Sequence, residues 1–154
     1  KNLGDGLILK NTSDVELHDS AIFDNAFTNL EIRNTNKFLL NRTLITCTSN
    51  GLDYIKTALG NSSDYAIGLS YFGVSRSSSA TNTIVNSIIQ GCKSNVILNA
   101  DGDRYIRKLQ VLNNHFINAR STNSSNDATR NVLLLGSNFP DLKFKNNIIY
   151  QKDY

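Results

Sequence analysis

Five short segments of this chain carry the same alternating pattern, and an internal repeat constrains a fold more tightly than any other sequence feature. In each segment apolar residues recur at every second position, which is typical of a β-strand with one buried face. A repeat this short cannot bury its own apolar face, so neighbouring copies must stack, and the pattern predicts a solenoid. The segments are 7–10 (LILK), 30–33 (LEIR), 67–70 (IGLS), 96–99 (VILN) and 132–135 (VLLL).

Each of these first strands is followed by two further apolar segments, and the spacing between the second and third segments does not vary. Asn and Asp tolerate the left-handed backbone that a sharp bend needs, and stacked amides hydrogen-bond to one another. The alignment therefore predicts a buried Asn ladder between two apolar columns. The columns are Leu17, Leu39, Ile84, Val111 and Phe144; the ladder Asp19, Asn41, Asn86, Asn113 and Asn146; and then Ile22, Leu44, Ile89, Phe116 and Ile149.

The composition agrees with a solenoid of strands. The sequence holds 22 asparagines but only two glutamates and one proline, which disfavours both helices and a series of tight hairpins. We predict an all-β, right-handed parallel β-helix of about five three-strand rungs with an Asn ladder. Leu9, Ile32, Leu69, Leu98 and Leu134 are expected to form its buried first-strand column. Residues 1–154 are expected to be a single β-helix domain from a longer chain.

This arrangement, with one fixed turn, two variable turns and an Asn ladder, resembles the pectin-lyase-like right-handed β-helix superfamily over nearly the whole chain. The superfamily includes pectate lyases, polygalacturonases, epimerases and bacteriophage tailspikes that degrade surface polysaccharide. The polygalacturonase motifs are absent, since 34–36 reads Asn-Thr-Asn without the acid. Tailspikes share no motif, so the resemblance implies a tailspike-like depolymerase fragment whose first strands and adjacent long turns line a glycan groove.

The outward positions of the first strands are expected to be Lys10, Glu31, Arg33, Ser70 and Asn99. Glu31 is the one acid among them, and Lys10 and Arg33 are expected to stack. One interpretation is a glycan-facing acid with two cations that bind uronate or phosphate groups. The alternative is a surface charge cluster in which Glu31 neutralises the two cations.

The turns beside this face supply the remaining candidates. Rungs stack about 4.8 Å apart, so acids on adjacent or next-but-one rungs match the separations used by retaining or inverting glycosidases. Aromatic rings beside the acids suit stacking on sugars. The predicted catalytic residues are Glu31, Asp53, Asp64, Asp101 and Asp103. The predicted substrate-binding residues are Lys10, Arg33, Tyr54, Tyr65, Tyr71, Arg104 and Tyr105.

Other chemistry is not indicated. No metal or cofactor is expected, and the scattered charges behind the net charge of +3 argue against a nucleic-acid partner. The sequence contains no apolar run long enough to span a membrane. Cys47 and Cys92 align on neighbouring rungs, where two free thiols are expected in preference to a disulfide.

We therefore expect a polysaccharide-binding and polysaccharide-degrading module, acting on a bacterial surface glycan from a virion tail or as a secreted protein. The alternatives are a non-catalytic fibre or adhesion solenoid and a secreted lyase or epimerase. Ile97, Leu133 and Leu135 are expected to form an outward apolar patch, covered by the loop at 119–130 or by another subunit. Tailspikes trimerise, so the resemblance implies a homotrimer.

Overall fold

Three five-stranded parallel sheets make up most of this protein. The computed structural model describes residues 2–59, 66–75, 80–99, 104–105, 108–119, 131–135 and 141–151. Alternating apolar residues give each strand one face that packs inward. The first sheet contains Leu7–Lys10, Thr28–Arg33, Ile67–Phe72, Ser94–Asn99 and Asn131–Leu135.

The second and third sheets follow the first in chain order. The second contains Ser13–His18, Asn36–Asn41, Thr81–Val85, Lys108–Leu112 and Asp141–Lys145. The third contains Ala21–Phe23, Leu44–Thr46, Ile88–Gln90, His115–Ile117 and Ile148–Tyr150. Within every sheet, each strand pairs in parallel with the strand that follows it in that sheet's chain order. The predicted all-β architecture with stacked parallel strands is confirmed at this level.

Two elements lie outside the three sheets. An α-helix, α1, spans Ser49–Leu59, and Val74–Ser75 pairs with Arg104–Tyr105 in a small antiparallel sheet. Low Glu and Ala content led us to expect a turn where α1 lies, so that expectation is wrong. The helix forms because Thr48 caps it, its hydroxyl accepting a hydrogen bond from the Gly51 amide at 3.0 Å, and because Leu52 is buried beneath it.

The core lies between the sheets, and in the first sheet its register differs from the predicted column. Leu30, Leu69 and Val96 are aligned, whereas Ile32 aligns with Tyr71 and Leu98, and all six side chains are buried. The predicted column therefore combined residues from two separate columns, since Leu69 stands in one and Ile32 and Leu98 stand in the other. The backbone of Leu134 pairs with that of Ile97, not Leu98. The cause is strand length, since Ile67–Phe72 is two residues longer than the predicted segment.

The predicted apolar patch on this sheet is also wrong in its register. Backbone pairing places Leu133 level with Val96, Leu134 level with Ile97 and Leu135 level with Leu98, so Ile97 does not share a column with Leu133 or Leu135. All four residues of the VLLL segment are apolar, so apolar residues at every second position fit either register, and only pairing with the neighbouring strand selects one. Most of the loop at 119–130 that was expected to cover the patch lies outside the described residues.

The turn between the second and third sheets shows an offset of one residue. Leu40 stacks with Leu17 and Ile84, and Ile45 stacks with Ile22 and Ile89, so the predicted members Leu39 and Leu44 are each wrong by one. The left-handed residue in this unit is Arg42, at φ 50°, in line with Asp19, Asn86, Asn113 and Asn146.

Arg42 keeps this unusual backbone because stacking supplies it with a partner. Its guanidinium donates to both carboxylate oxygens of Asp19, at 2.6 and 2.7 Å, and these bonds hold the pKa of Asp19 below its ordinary value. Asn41 is not the bend residue, although its side chain still accepts a hydrogen bond from the Asn86 amide at 3.2 Å.

The predicted Asn ladder exists in part, but it lies on the surface. Asn113 donates to Asn86 at 3.4 Å and Asn86 to Asn41 at 3.2 Å, and Asn86 and Asn113 are both exposed. A second polar ladder, one residue further along, is buried. There the Asn114 side chain accepts from the Ser87 amide at 2.9 Å, and the Ser87 hydroxyl accepts from the Thr43 amide at 3.2 Å.

A disulfide joins Cys47 to Cys92, so the expectation of free thiols is wrong. The predicted shared register of the two cysteines is wrong by one residue, because Thr46 pairs with Gln90 and the position level with Cys47 is therefore Gly91. The two cysteines nevertheless follow paired strand ends on neighbouring units, which brings their sulfur atoms into bonding range. The disulfide belongs to a small apolar cluster beneath α1 that also contains Ala26, Leu52 and Ala66.

Candidate functional site

The outward face of the first sheet carries two stacked columns of side chains. Backbone register aligns Lys10, Arg33, Phe72 and Asn99 in one column, and Ile8, Glu31, Ser70 and Ile97 in the other. Every outward residue predicted for this face stands in one of these columns, and the predicted stacking of Lys10 on Arg33 is confirmed. Phe72 was not among the predicted site residues, and the strand Ile67–Phe72, longer than predicted, places it in the Lys10 column.

Arg33 organises the centre of this face. Its guanidinium forms an ion pair with Glu31, including a hydrogen bond of 3.0 Å to Oε2, and lies 5.1 Å from the centre of the Phe72 ring. The guanidinium is attracted electrostatically to the ring face. The side chain of Arg33 is 49% exposed, whereas that of Glu31 is only 10% exposed. Arg33 is therefore the member of the pair that solvent reaches, and Glu31 holds it in position.

This geometry limits what Glu31 can do chemically. A glycosidase of either stereochemistry uses two carboxyl groups that flank the scissile bond. The residues level with Glu31 on the adjacent strands are Ile8 and Ser70, so the described part of this sheet offers it no carboxylate partner. Both of its oxygens are engaged by Arg33. The arrangement matches the predicted charge cluster in that Glu31 neutralises Arg33.

The other predicted site residues do not converge on Glu31 within the described residues. Asp53 and Tyr54 are exposed on α1 rather than in a turn. Arg104 and Tyr105 lie in the small antiparallel sheet. The remaining candidates Asp64, Tyr65, Asp101 and Asp103 lie outside the described residues.

Tyr71 does not lie on the surface as predicted. Its ring is fully buried in the core column beside Ile32 and Leu98, and its hydroxyl donates to the carbonyl oxygen of Thr35 at 3.2 Å. Burial raises the pKa of its phenol well above the ordinary value. The correction follows from alternation, since the strand continues to Phe72 and so turns Tyr71 inward and Phe72 outward.

A concave surface that the sequence analysis did not predict lies at the end of the third-sheet strands. It is a depression of about 340 Å³. Its walls are formed by the strand-end residues Thr46, Gln90 and Ile117 and, from the segments that follow them, Thr48, Ser49 and Asn118. The sequence carried a signal for it, because the last residue of every third strand falls at one repeated position.

The described residues contain no group of three or more His, Cys, Asp or Glu side chains that would hold a metal ion. None of the helices among them is both long and apolar enough to cross a membrane. The sequence matches no protein-family model, and comparison with curated proteins and with solved structures finds no significant match.

Proposed function

We propose that this protein is a polysaccharide-binding module whose first-sheet face contacts a bacterial surface glycan. The observation that carries the proposal is the arrangement of Lys10, Arg33 and Phe72 in one column, with Arg33 positioned by Glu31. A strand-spaced column suits an extended polymer because its contacts recur about every 4.8 Å along the stack. Guanidinium and ammonium donors bind hydroxyl and carboxylate oxygens of such a chain.

The finer description of the fold belongs to the same proposal. We propose a right-handed coil of about five rungs, related to the pectin-lyase-like superfamily and most like a tailspike fragment. The fixed turn between the second and third sheets supports it, with a left-handed residue at the same place in each unit. Stacked amides on the surface of that turn support it as well.

Degradation of the glycan is the further step in this proposal, and its candidate acids are Asp53, Asp64, Asp101 and Asp103 in addition to Glu31. The second candidate function is non-catalytic adhesion. The burial of Glu31 and its pairing with Arg33 favour adhesion, because a carboxylate held in this way is suited to positioning rather than to proton transfer.

The proposed setting is a virion tail or the extracellular space, with assembly as a homotrimer of a longer chain. The Cys47–Cys92 disulfide supports an oxidising environment, because disulfides are rare in reducing compartments. Ile148 and Ile149, each more than 50% exposed, supply apolar surface that assembly would cover.

Binding to a panel of capsule and lipopolysaccharide glycans tests the proposal. We expect Lys10→Ala and Arg33→Lys each to weaken binding about tenfold, because each change removes charge-assisted hydrogen bonds. Higher ionic strength should weaken the same interaction. Lys143→Ala, at an exposed position of the second sheet, is the matched control and should bind like the wild type. Reducing ends released during the incubation report degradation.

Two outcomes contradict parts of this proposal separately. Unchanged affinity in both Lys10→Ala and Arg33→Lys, with correct folding by circular dichroism, would remove the first-sheet face as the binding site. Binding without released ends, at long incubation and high protein concentration, would leave adhesion as the function.

A further inference from the structure

A column of side chains also runs along the third sheet, at the ends of its strands. Backbone pairing aligns Phe23, Thr46, Gln90, Ile117 and Tyr150, the last residues of the five third-sheet strands. Phe23 and Tyr150 stand at the two ends of the column, and their rings are 59% and 50% exposed. Four steps of strand spacing place these ends about 19 Å apart.

The middle of the same column borders the depression of about 340 Å³. This volume falls within the range of small-molecule sites in proteins. Hydroxyl and amide groups surround it, from Thr46, Thr48, Ser49, Gln90 and Asn118. None of the described residues that line it is charged, so it offers nothing to neutralise an ionic ligand.

Two of the polar groups in the depression remain available to a ligand. The side chains of Thr46 and Gln90 are half-buried and form no hydrogen bond with the part of the chain that the structure describes. They project side by side from paired strands, so their donors and acceptors point to one region. A half-buried amide without a protein partner is suited to hydrogen-bonding an uncharged polar ligand.

The depression is also rigid. Cys47 contributes to its wall, and the disulfide to Cys92 ties together the two segments that follow Thr46 and Gln90. The cap of α1, in which Thr48 accepts from Gly51 and donates to Asp24 at 2.8 Å, holds the third wall segment. A rigid site loses little conformational entropy when a ligand binds.

We call the depression and the column from Phe23 to Tyr150 that borders it the third-sheet groove. We propose that this groove binds an uncharged oligosaccharide, extended between Phe23 and Tyr150. The two rings stack on the C–H-rich faces of pyranose units at the ends, since the negative face of an aromatic ring attracts polarised hydrogens. Gln90 and Thr46 hydrogen-bond hydroxyls between them. The site stands on a different sheet from the proposed first-sheet contact, and it does not depend on that contact.

Calorimetric titration with neutral hexasaccharides tests the groove, using cellohexaose, maltohexaose, mannohexaose and laminarihexaose, with hexagalacturonate as the charged counterpart. We expect at least one neutral chain to bind with an affinity that is independent of ionic strength. Phe23→Ala, Tyr150→Ala and Gln90→Ala should each weaken that binding about tenfold, and a ¹⁵N spectrum should show the Gln90 side-chain amide shifting on titration.

Phe27→Ala is the matched control, because Phe27 is also an exposed phenylalanine, at 40%, but lies outside the column. Thermal unfolding should be unchanged in all four variants. The proposal is overturned if no neutral chain binds, if the groove variants bind like the wild type, or if Lys10→Ala weakens neutral binding as much as Phe23→Ala does. Failure of the first-sheet proposal would instead appear as insensitivity of glycan-panel binding to Lys10→Ala and Arg33→Lys.

Discussion

Most of the left-handed backbone positions in this protein are occupied by asparagine or aspartate. Among the described residues, nine of the twelve non-glycine residues with positive φ are Asn or Asp. Their short polar side chains tolerate the left-handed region. The three exceptions are Lys37, Arg42 and Ala66. Lys37 and Arg42 form ion pairs with Asp14 and Asp19 of the preceding unit, and these contacts stabilise a backbone conformation that the two residues do not favour by themselves.

Burial separates the two polar ladders at the residue scale. Asn114 is completely buried, and its side chain serves the Ser87 amide, the Ile84 carbonyl and the Asn147 side chain. Its neighbour Asn113 is exposed and contacts one amide on the surface. Breaking the buried ladder would therefore leave buried polar groups without hydrogen bonds, whereas breaking the exposed, predicted ladder would not.

Replacement of these neighbours measures the difference. Asn114→Ala should lower the free energy of unfolding by about 1–3 kcal/mol, because it leaves buried backbone groups without partners. Asn113→Gly should change it by less than about 0.5 kcal/mol, since glycine accepts the left-handed backbone and no buried group is exposed. Urea unfolding followed by circular dichroism checks both. Equal losses in the two variants would contradict the assignment of the buried ladder.

At the scale of elements, the insertion of α1 is secured by two devices. Asp24 accepts hydrogen bonds from the amide and the hydroxyl of Thr48, at 2.7 and 2.8 Å, and so fixes the residue that caps the helix. Gly51 is required there, because a Cβ atom would lie 2.1 Å from the Asp24 carboxylate. The disulfide closes the apolar cluster beneath the helix.

The disulfide should contribute substantially to stability. Its cysteines are 45 residues apart in sequence. A loop of that length corresponds to about 4 kcal/mol in the chain-entropy description of the unfolded state. We expect the Cys47→Ala/Cys92→Ala double variant to lose about 4 kcal/mol of unfolding free energy and so to unfold at a lower urea concentration, and reduced wild-type protein to resemble it. Thiol titration of the oxidised, denatured protein should find no free thiol, and two free thiols would refute the disulfide.

The whole molecule is a stack in which each strand depends on its neighbours. Ile89 lies in the middle of the third sheet and is fully buried, whereas Ile149 occupies the same inward column at the end of the sheet and is 52% exposed. In such a solenoid the stability of a unit is the sum of its own contribution and its contacts with adjacent units. The described ends of the stack should therefore open before its centre.

The same substitution at Ile89 and at Ile149 tests whether the centre of the stack is more stable than its end. Ile89→Ala should cost about 2–5 kcal/mol because it leaves a cavity in a packed core, while Ile149→Ala should cost less than about 1 kcal/mol. Amide hydrogen exchange should show the same order, with Ile89 protected more strongly than Ile149. Similar costs at both sites would indicate that further chain or a second subunit packs on the end of the third sheet.

The sequence by itself determined the architecture and much of the first-sheet face. Alternation and repeat spacing were sufficient for the parallel strands, for the stacking of Lys10 on Arg33 and for the placement of Cys47 and Cys92 on neighbouring units. These features follow from local or periodic patterns, which can be recognised in one amino-acid sequence. The candidates Asp64, Asp101 and Asp103 stay predictions.

Tertiary structure decided the rest. Whether Leu39 or Leu40 faces inward depends on pairing with neighbouring strands, and a slip of one residue reverses every side chain. Strand length placed Tyr71 in the core and Phe72 outside, although both are aromatic and adjacent in sequence. The groove beside Gln90 exists only because strand ends distant in sequence stack in one column. Periodicity predicts that strands stack, whereas hydrogen bonding between strands selects the register in which they do so.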